Sequence, residues 1–405
     1  MSKVLAIIGG GASGVFAAVN AARQHPGLQV VLFEKSQKLL AKVKVSGGGR
    51  CNVTHDCNDV SHLLEHYPRG KNFLKKAFYH FNHTHTQQWF ESRGVKLKTE
   101  ADGRMFPVTD DSQTIIDALL KEGAQYGVSF RLGRDCTGLE PTSNGWMLHF
   151  RDGQTFEAHK VMLACGGFPK PEQFDFIRRL GHTIEPPVPS LFTFNMPGNP
   201  VRELMGVSVP MAKLKIAGEK LTSEGPLLIT HWGMSGPAVL RLSAWGARLL
   251  HDKNYHFNLL VNWLPGSDTE EVKEKLLQMR ANRQQPLVHG KNPFELPRRL
   301  WDYLADKAGT PANCRWAELP SKTQNKLLEL LSADLYEVKG KTTFKEEFVT
   351  CGGVLLKEIN PDTMESRICK GLYFGGELMD VDGITGGFNF QNAWTSGWLV
   401  AQAVQ

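Results

Sequence analysis

The sequence has no Cys-x-x-Cys pair and only one Gly-x-Gly-x-x-Gly. Each shortage excludes a class. The seven cysteines, Cys51, Cys57, Cys136, Cys165, Cys314, Cys351 and Cys369, are odd in number and lack metal-type spacing. Zinc modules and disulfide frameworks need paired, closely spaced thiols, so reduced cysteines and a cytoplasmic setting are expected. Cys51 and Cys57 are too widely spaced for a redox pair, which argues against a disulfide reductase. A single glycine fingerprint leaves no second dinucleotide domain for NAD(P)H. His80-x-x-His83-x-His85 is the nearest approach to a metal motif. It lacks neighbouring carboxylates and lies in a basic region, so no metal is expected.

Long apolar runs are equally scarce. One long uncharged stretch is Val4–Ala22, after Lys3. Gly9-Gly10-Gly11 sits near its middle, where a membrane helix or signal peptide would not place three glycines. The stretch reads as strand, glycine turn and helix, and the protein is expected to be soluble, with no membrane partner.

What is present is a globular composition. The 405 residues are 41% hydrophobic and 22% charged, enough to bury a large core in two or three domains. The net charge is +6, and the first hundred residues alone carry +8: they hold fourteen Lys/Arg against six Asp/Glu, with seven of the fourteen histidines. Such a region suits an anionic ligand or RNA, and equally a solvated basic surface.

Val4–Ile8 is apolar and suits a strand buried on both faces. Gly9-x-Gly11-x-x-Gly14 follows, then Val15–Arg23 with helical character, then Val30–Phe33 ending at Glu34. This is a βαβ dinucleotide unit. Gly9 permits the tight turn, Gly11 lets backbone approach a pyrophosphate, and Gly14 lets helix pack on strand. The helix N-terminus faces the phosphates, and Glu34 accepts from ribose hydroxyls. An acidic residue there favours FAD or NAD over NADP. The expected nucleotide set is Gly9, Gly11, Ala12, Ser13, Gly14, Glu34 and Lys35.

A second glycine loop, Ser46-Gly47-Gly48-Gly49-Arg50-Cys51-Asn52, follows Lys35, Lys38, Lys42 and Lys44. Consecutive glycines expose amides that form an anion nest, and the cations add positive charge beside the pyrophosphate site. Ser46, Gly47, Gly48, Arg50, Asn52 and Lys42 join the expected cofactor set. In basic surroundings Cys51 is expected to favour the thiolate, as a proton donor or nucleophile, or else to be a small thiol packed under a ring system.

Val45–Thr54 (VSGGGRCNVT) resembles the hallmark of the BaiN/RdsA (YhiN-like) flavoproteins. Thr230–Pro237 (THWGMSGP), Cys351–Val354 with Thr363–Ser366 (CGGV and TMES), and Gly371–Asp380 leading into Gly386–Gln391 resemble three further segments of that family. The resemblance spans nearly the whole chain. It implies an α/β fold: a discontinuous Rossmann-like FAD domain of the glutathione-reductase type, interrupted by an inserted β-barrel and helical domain. The expected division is 1–190 and 350–405 for the FAD domain. The insert is 191–349, barrel-like over 191–264 and 335–349 and helical over 265–334.

The residues support this independently. Trp146–Phe150, Asp152-Gly153 and Thr155–Ala158 read as a hairpin. Val161–Ala164 reads as a strand closed by Cys165-Gly166-Gly167. Glu270–Arg283, Pro297–Lys307 and Thr323–Ala333 have helical apolar spacing. Leu372–Phe374 reads as a strand, and Gln391–Val404 as a helix whose start faces the flavin pyrimidine edge. By resemblance, Cys136 meets the adenine end through its backbone, Glu377 or Asp380 bonds the ribityl chain, and Ala164, Gly166, Gly376, Gly386, Gly387, Phe388 and Asn389 line the cofactor. One departure concerns the loop after the "TGG" strand. Cys165 replaces the threonine, and a short loop to Pro171 leads into a helix reaching Leu180.

The resemblance implies an FAD-dependent oxidoreductase that reduces an activated C=C bond with NAD(P)H. The substrate is then either uracil of ribosomal RNA, giving dihydrouracil, or a steroid-like enone. Cys51 and His231 are the candidate acids. Two alternatives remain at this level: an FAD-dependent oxidase of amines such as aminoacetone, and a non-catalytic flavin-bound RNA-binding protein. The sequence leaves oligomeric state open.

Overall fold

The computed structural model describes residues 3–281, 286–343 and 349–405. The chain divides into two compact units, Met1–Ser190 with Lys345–Gln405, and Leu191–Phe344.

The first unit is built on a five-stranded parallel sheet, β1 (Val4–Ile8), β2 (Gln29–Glu34), β3 (Ser129–Leu132), β4 (Lys160–Leu163) and β5 (Leu372–Phe374), in the order β5-β4-β1-β2-β3. Leu5, Ala6 and Ile7 are wholly buried, as a central parallel strand covered on both faces requires. Helix α1 (Ala12–Gln24) follows β1 and buries every residue from Ser13 to Ala22. It packs along the C-terminal helix α2 (Phe388–Ala403). The approach is close because Gly397 has no side chain; a Cβ there would lie 2.6 Å from the Ser13 carbonyl. The discontinuity is visible in β5, which pairs with β4 from Val161↔Leu372 to Leu163↔Phe374.

Both helices start earlier than the sequence suggests. α2 begins at Phe388 rather than Gln391, with Gly387 as its N-cap and no side-chain cap. The hairpin at Asp152-Gly153 forms, and a further strand, Cys136–Thr142, pairs with Gly145–Phe150 to make it a three-stranded meander. The helix expected up to Leu180 is shorter: a 3-10 turn at Pro171–Phe174 and one α-turn at Asp175–Arg178. A small sheet of Thr54–His55, Leu97–Thr99 and Arg104–Pro107 was not foreseen.

The second unit holds a seven-stranded antiparallel sheet. Its order runs Asp334–Lys339, His256–Asn262, Ser208–Ile216, Thr222–Ile229, Gly233–Ser235, Thr193–Asn195 and Lys341–Thr342. The first and last of these strands are one continuous segment, bent at Gly340 with φ +104°. That segment pairs with both ends of the sheet and closes it into a barrel. Three helices, Thr269–Arg280, Arg298–Lys307 and Ser321–Ala333, bury Leu276, Trp301, Leu304, Leu327 and Leu331 at helical spacing. The first stops at Arg280; Arg283, where it was expected to end, lies outside the described residues.

Candidate functional site

The carboxyl ends of four parallel strands carry the expected site residues, where open α/β sheets bind ligands. After β1, Gly9 takes φ +114° and its N–H donates to the Phe33 carbonyl at 2.8 Å. A Cβ on Gly9 would meet the Ala164 carbonyl oxygen at 2.3 Å, and one on Gly14 would meet the Gly9 oxygen at 2.0 Å. Gly11 differs: nothing lies within 4 Å of its missing Cβ. It is the N-cap of α1 and supplies no side-chain cap, so the first amides of α1, at Ala12 and Ser13, are left to an external partner.

Glu34 ends β2. Its Oε2 accepts from the Gly10 N–H and its Oε1 from the Ser36 N–H, both at 2.8 Å. This fixes the carboxylate beside the glycine turn. A cleft there is lined by Gly9, Glu34, Lys35, Cys136 and Cys165. Beyond β4, Ala164 donates to the Ile8 carbonyl at 2.8 Å, and Gly166 turns at φ +75° into open space. Beyond β5, Gly376 donates to Ser396 Oγ at 2.9 Å. Glu377 accepts from Lys42 Nζ at 2.9 Å and from the Thr350 N–H at 2.8 Å. Asp380 lies further along the same loop, where its N–H donates to Val354 O at 3.0 Å.

The second glycine loop joins the start of α2. Gly47, Gly48 and Gly49 all take positive φ, and the last two face open space. In the orientation that satisfies both groups, the Asn52 amide donates to Thr54 O at 2.9 Å and accepts from the Gly387 N–H at 3.1 Å. Ser46 O accepts from the Cys51 N–H at 3.0 Å. Asn389 exchanges two hydrogen bonds with Gly383.

Two expectations about this loop are corrected. Cys51 is fully buried, and burial pushes its thiol pKa up to about 12. Desolvation opposes the thiolate alternative, and the burial fits the other one, a small packed thiol. The cations are also largely compensated. Arg50 pairs with Glu100 at 2.6 Å and lies over the Phe106 ring, Lys44 pairs with Asp111, and Lys42 with Glu377. The other acid candidate, His231, belongs to the second unit. It is exposed, its ring lies 3.6 Å from that of Trp232, and its carbonyl accepts from Arg202 Nε at 2.6 Å.

The sequence reading missed the residues that hold the α2 start. His55 Nδ1 bonds the Gly386 carbonyl at 3.0 Å, and its ring stacks on Phe388 at 4.6 Å. His66 stacks on Phe388 at 4.3 Å and 9°. Tyr67 donates to the Phe388 carbonyl at 2.6 Å, and Thr54 and Thr86 both donate to Gln391 Oε1. The only sequence signal was that His55 lies three residues past Asn52. The histidines of the metal-like run go elsewhere: His80 to Asp362, His83 to the Cys57 carbonyl and His85 to Asn82.

Burial lowers the pKa of His55 and His66, that of His66 to about 4. A histidine depressed below its unfolded value of about 6.5 contributes stability that is present above that pH. That stability is lost as pH falls toward 4, where the unfolded chain binds the proton first. Between pH 7 and pH 4 the parent is expected to lose about 1–3 kcal/mol relative to His66→Phe, which keeps the stack without the titration. Urea unfolding across that range measures the difference.

The site fits FAD. It offers open backbone at Gly11, Gly48, Gly49 and Gly166 and a fixed carboxylate at Glu34. Two buried polar atoms, Asn392 Oδ1 and Thr350 Oγ1, have no hydrogen-bond partner among the described residues.

Comparison with known proteins agrees. The family model described as the HI0933-like protein Rossmann domain matches residues 3–403. The 3-dehydro-bile acid delta(4,6)-reductase of Clostridium scindens is 31% identical over 412 residues, covering 98% of each chain. The ribosomal RNA dihydrouridine synthase of Escherichia coli is 31% identical over 407 residues, covering 98% of this chain and 96% of that one. Among solved structures, the 3-ketosteroid delta1-dehydrogenase of Sterolibacterium denitrificans aligns with a TM-score of 0.50 at 12% identity over 99% of both chains. Quinol fumarate reductase FrdA of Escherichia coli aligns with a TM-score of 0.50 at 15% identity, over 99% of this chain and 70% of that one. These two share the fold.

The chain belongs to the HI0933-like family and, with it, to the FAD-dependent oxidoreductases. Among the described residues, no helix is long and apolar enough to cross a membrane.

Proposed function

We propose that this chain reduces a carbon–carbon double bond conjugated to a carbonyl, with NAD(P)H as electron donor, in the cytoplasm. The substrate class is uracil in ribosomal RNA or a steroid-like enone. One observation carries the reading. Two relatives that match over nearly their whole length are named for the same chemistry, saturation of an enone-type bond in a bile acid and in uridine.

When bound, FAD supplies hydride transfer. The chain's own residues do the rest. The α1 amides and Gly11 hold the pyrophosphate, and Glu34 holds the adenosine ribose. The Cys136 backbone meets the adenine, and Glu377 or Asp380 meets the ribityl chain. The uncapped start of α2, at Gly386–Asn389, presents amides to the pyrimidine edge and stabilises negative charge there. Cys51, a neutral buried thiol, packs the loop.

His231, from the Thr230–Pro237 segment, is the remaining candidate for the acid that protonates the substrate's neighbouring carbon. His231→Gln is expected to lower kcat about 100- to 10,000-fold while leaving FAD affinity unchanged. Stopped-flow turnover and a flavin titration on the same preparation check this.

Anaerobic mixing of FAD-loaded protein with NADH or NADPH tests the donor. Bleaching of the visible flavin band within seconds supports the reading. No bleaching with either nucleotide contradicts its NAD(P)H part.

A further inference from the structure

Helix Lys71–His80 has an outer face that the fold does not use. Lys71, Lys75 and Tyr79 follow one another at every fourth residue, with Asn72, Lys76 and His80 as the adjoining stripe. All six are exposed. The helix contains no acidic residue. Lys71, Lys75 and Lys76 have no ion-pair partner among the described residues, unlike Lys42, Lys44 and Arg50. His80 closes the face at one end against Asp362, at 3.2 Å. Tyr79 is 82% exposed, and its ring meets that of His80 edge-on at 5.5 Å.

We infer that this face is an RNA-binding surface, with Lys71, Lys75 and Lys76 on phosphates and Tyr79 as a stacking platform for an unpaired base. The inference rests on the RNA branch of the proposed function.

Three uncompensated cations around an aromatic ring held in water are the chemistry of single-strand recognition. A membrane surface is a poorer match. A helix lying on lipid turns its apolar side outward, whereas here Leu74, Ala77 and Phe78 are buried in the fold.

The position also suits a substrate surface. Phe78 packs on Tyr67 at 5.5 Å, and Tyr67 holds the Phe388 carbonyl at the start of α2. The basic face therefore lies on the same helix whose buried side reaches, through Tyr67, the turn assigned to the flavin.

The test uses full-length, FAD-loaded protein and a fluorescein-labelled, uridine-rich single-stranded RNA, followed by anisotropy across a salt series. Lys71→Ala/Lys75→Ala/Lys76→Ala is expected to weaken binding at least 10-fold. It should also flatten the log–log salt dependence by about 2, since each single-strand phosphate contact contributes about 0.7. Tyr79→Ala is expected to weaken binding about 5- to 100-fold without changing the slope, and Tyr79→Phe restores it. FAD content and melting temperature stay at parent values in all three variants.

The surface is overturned if the parent binds no RNA at 50 mM salt, or if the variants bind as the parent does. It is also overturned if they lose affinity only for phosphatidylglycerol vesicles. Reduction of a small enone by the same preparations separates the two claims. RNA binding lost in the variants with no acceptor ever reduced keeps the surface and removes the proposed function. Reduction without RNA binding does the reverse.

Discussion

Gly11→Ala is expected to fold as the parent does and to lose FAD, whereas Gly14→Ala is expected to damage the fold itself. The two positions belong to one motif, yet their surroundings are opposite. A Cβ at Gly14 would sit 2.0 Å from the Gly9 carbonyl oxygen. That oxygen is main chain at the end of a central strand and cannot move aside. Helix α1 must lift from β1, at a cost on the order of 1–3 kcal/mol or more. Among the described residues beyond its chain neighbours, nothing lies within 4 Å of a Cβ at Gly11, whose φ of −83° alanine adopts freely. The added methyl therefore enters only the space assigned to the pyrophosphate. The apo-protein of Gly11→Ala should melt within about 2 °C of the parent, while FAD affinity falls about 10- to 100-fold. Thermal melts of apo-protein and flavin-fluorescence titrations check both halves.

Asp382→Asn is expected to destabilise the first unit by about 3–5 kcal/mol. Asp382 is wholly buried, accepts from Arg69 Nε at 2.5 Å and from Ser190 Oγ at 2.9 Å, and meets the Arg69 guanidinium a second time. Removing its charge leaves a largely buried guanidinium without the counter-charge that this geometry supplies. Paired replacement, Arg69→Met with Asp382→Leu, is expected to be milder than Asp382→Asn because neither charge is then stranded. Urea unfolding of the three proteins gives the order. Asp382 lies just before Gly386, so Asp382→Asn should also weaken FAD binding, as the approach to the α2 start loses its anchor.

These two sites differ in how far the sequence revealed them. The glycine fingerprint is local: β1, the turn, α1, β2 and Glu34 follow one another without interruption, and strand and helix periodicity mark them. The Arg69–Asp382 pair joins residues 313 apart, and His55 reaches Gly386 across 331. No periodicity records a contact at such range.

The same limit explains the smaller misses. α2 starts at Phe388 because Gly387 caps it without a side chain, so no Ser, Thr, Asp or Asn marks its start. The barrel closes at Gly340, a single glycine between two short strands. The basic loop was read from its charges alone. The acids that neutralise it, Glu100, Asp110 and Asp111, arrive from a distant hairpin and turn. Burial likewise decided Cys51: the local sequence shows cations, and the fold removes the water that a thiolate needs.

The central claim is that reduced flavin in this protein passes its electrons to an enone-type double bond. The direct measurement is anaerobic. FAD-loaded protein is reduced with one equivalent of dithionite and mixed with a Δ4-3-keto steroid or with uridine-containing ribosomal RNA, and the visible flavin band is followed. The account predicts that the band returns without oxygen with at least one of them, with the saturated product formed in equal amount. A flavin that stays reduced with both, and reoxidises only when air is admitted with release of peroxide, would contradict it and identify an oxidase instead.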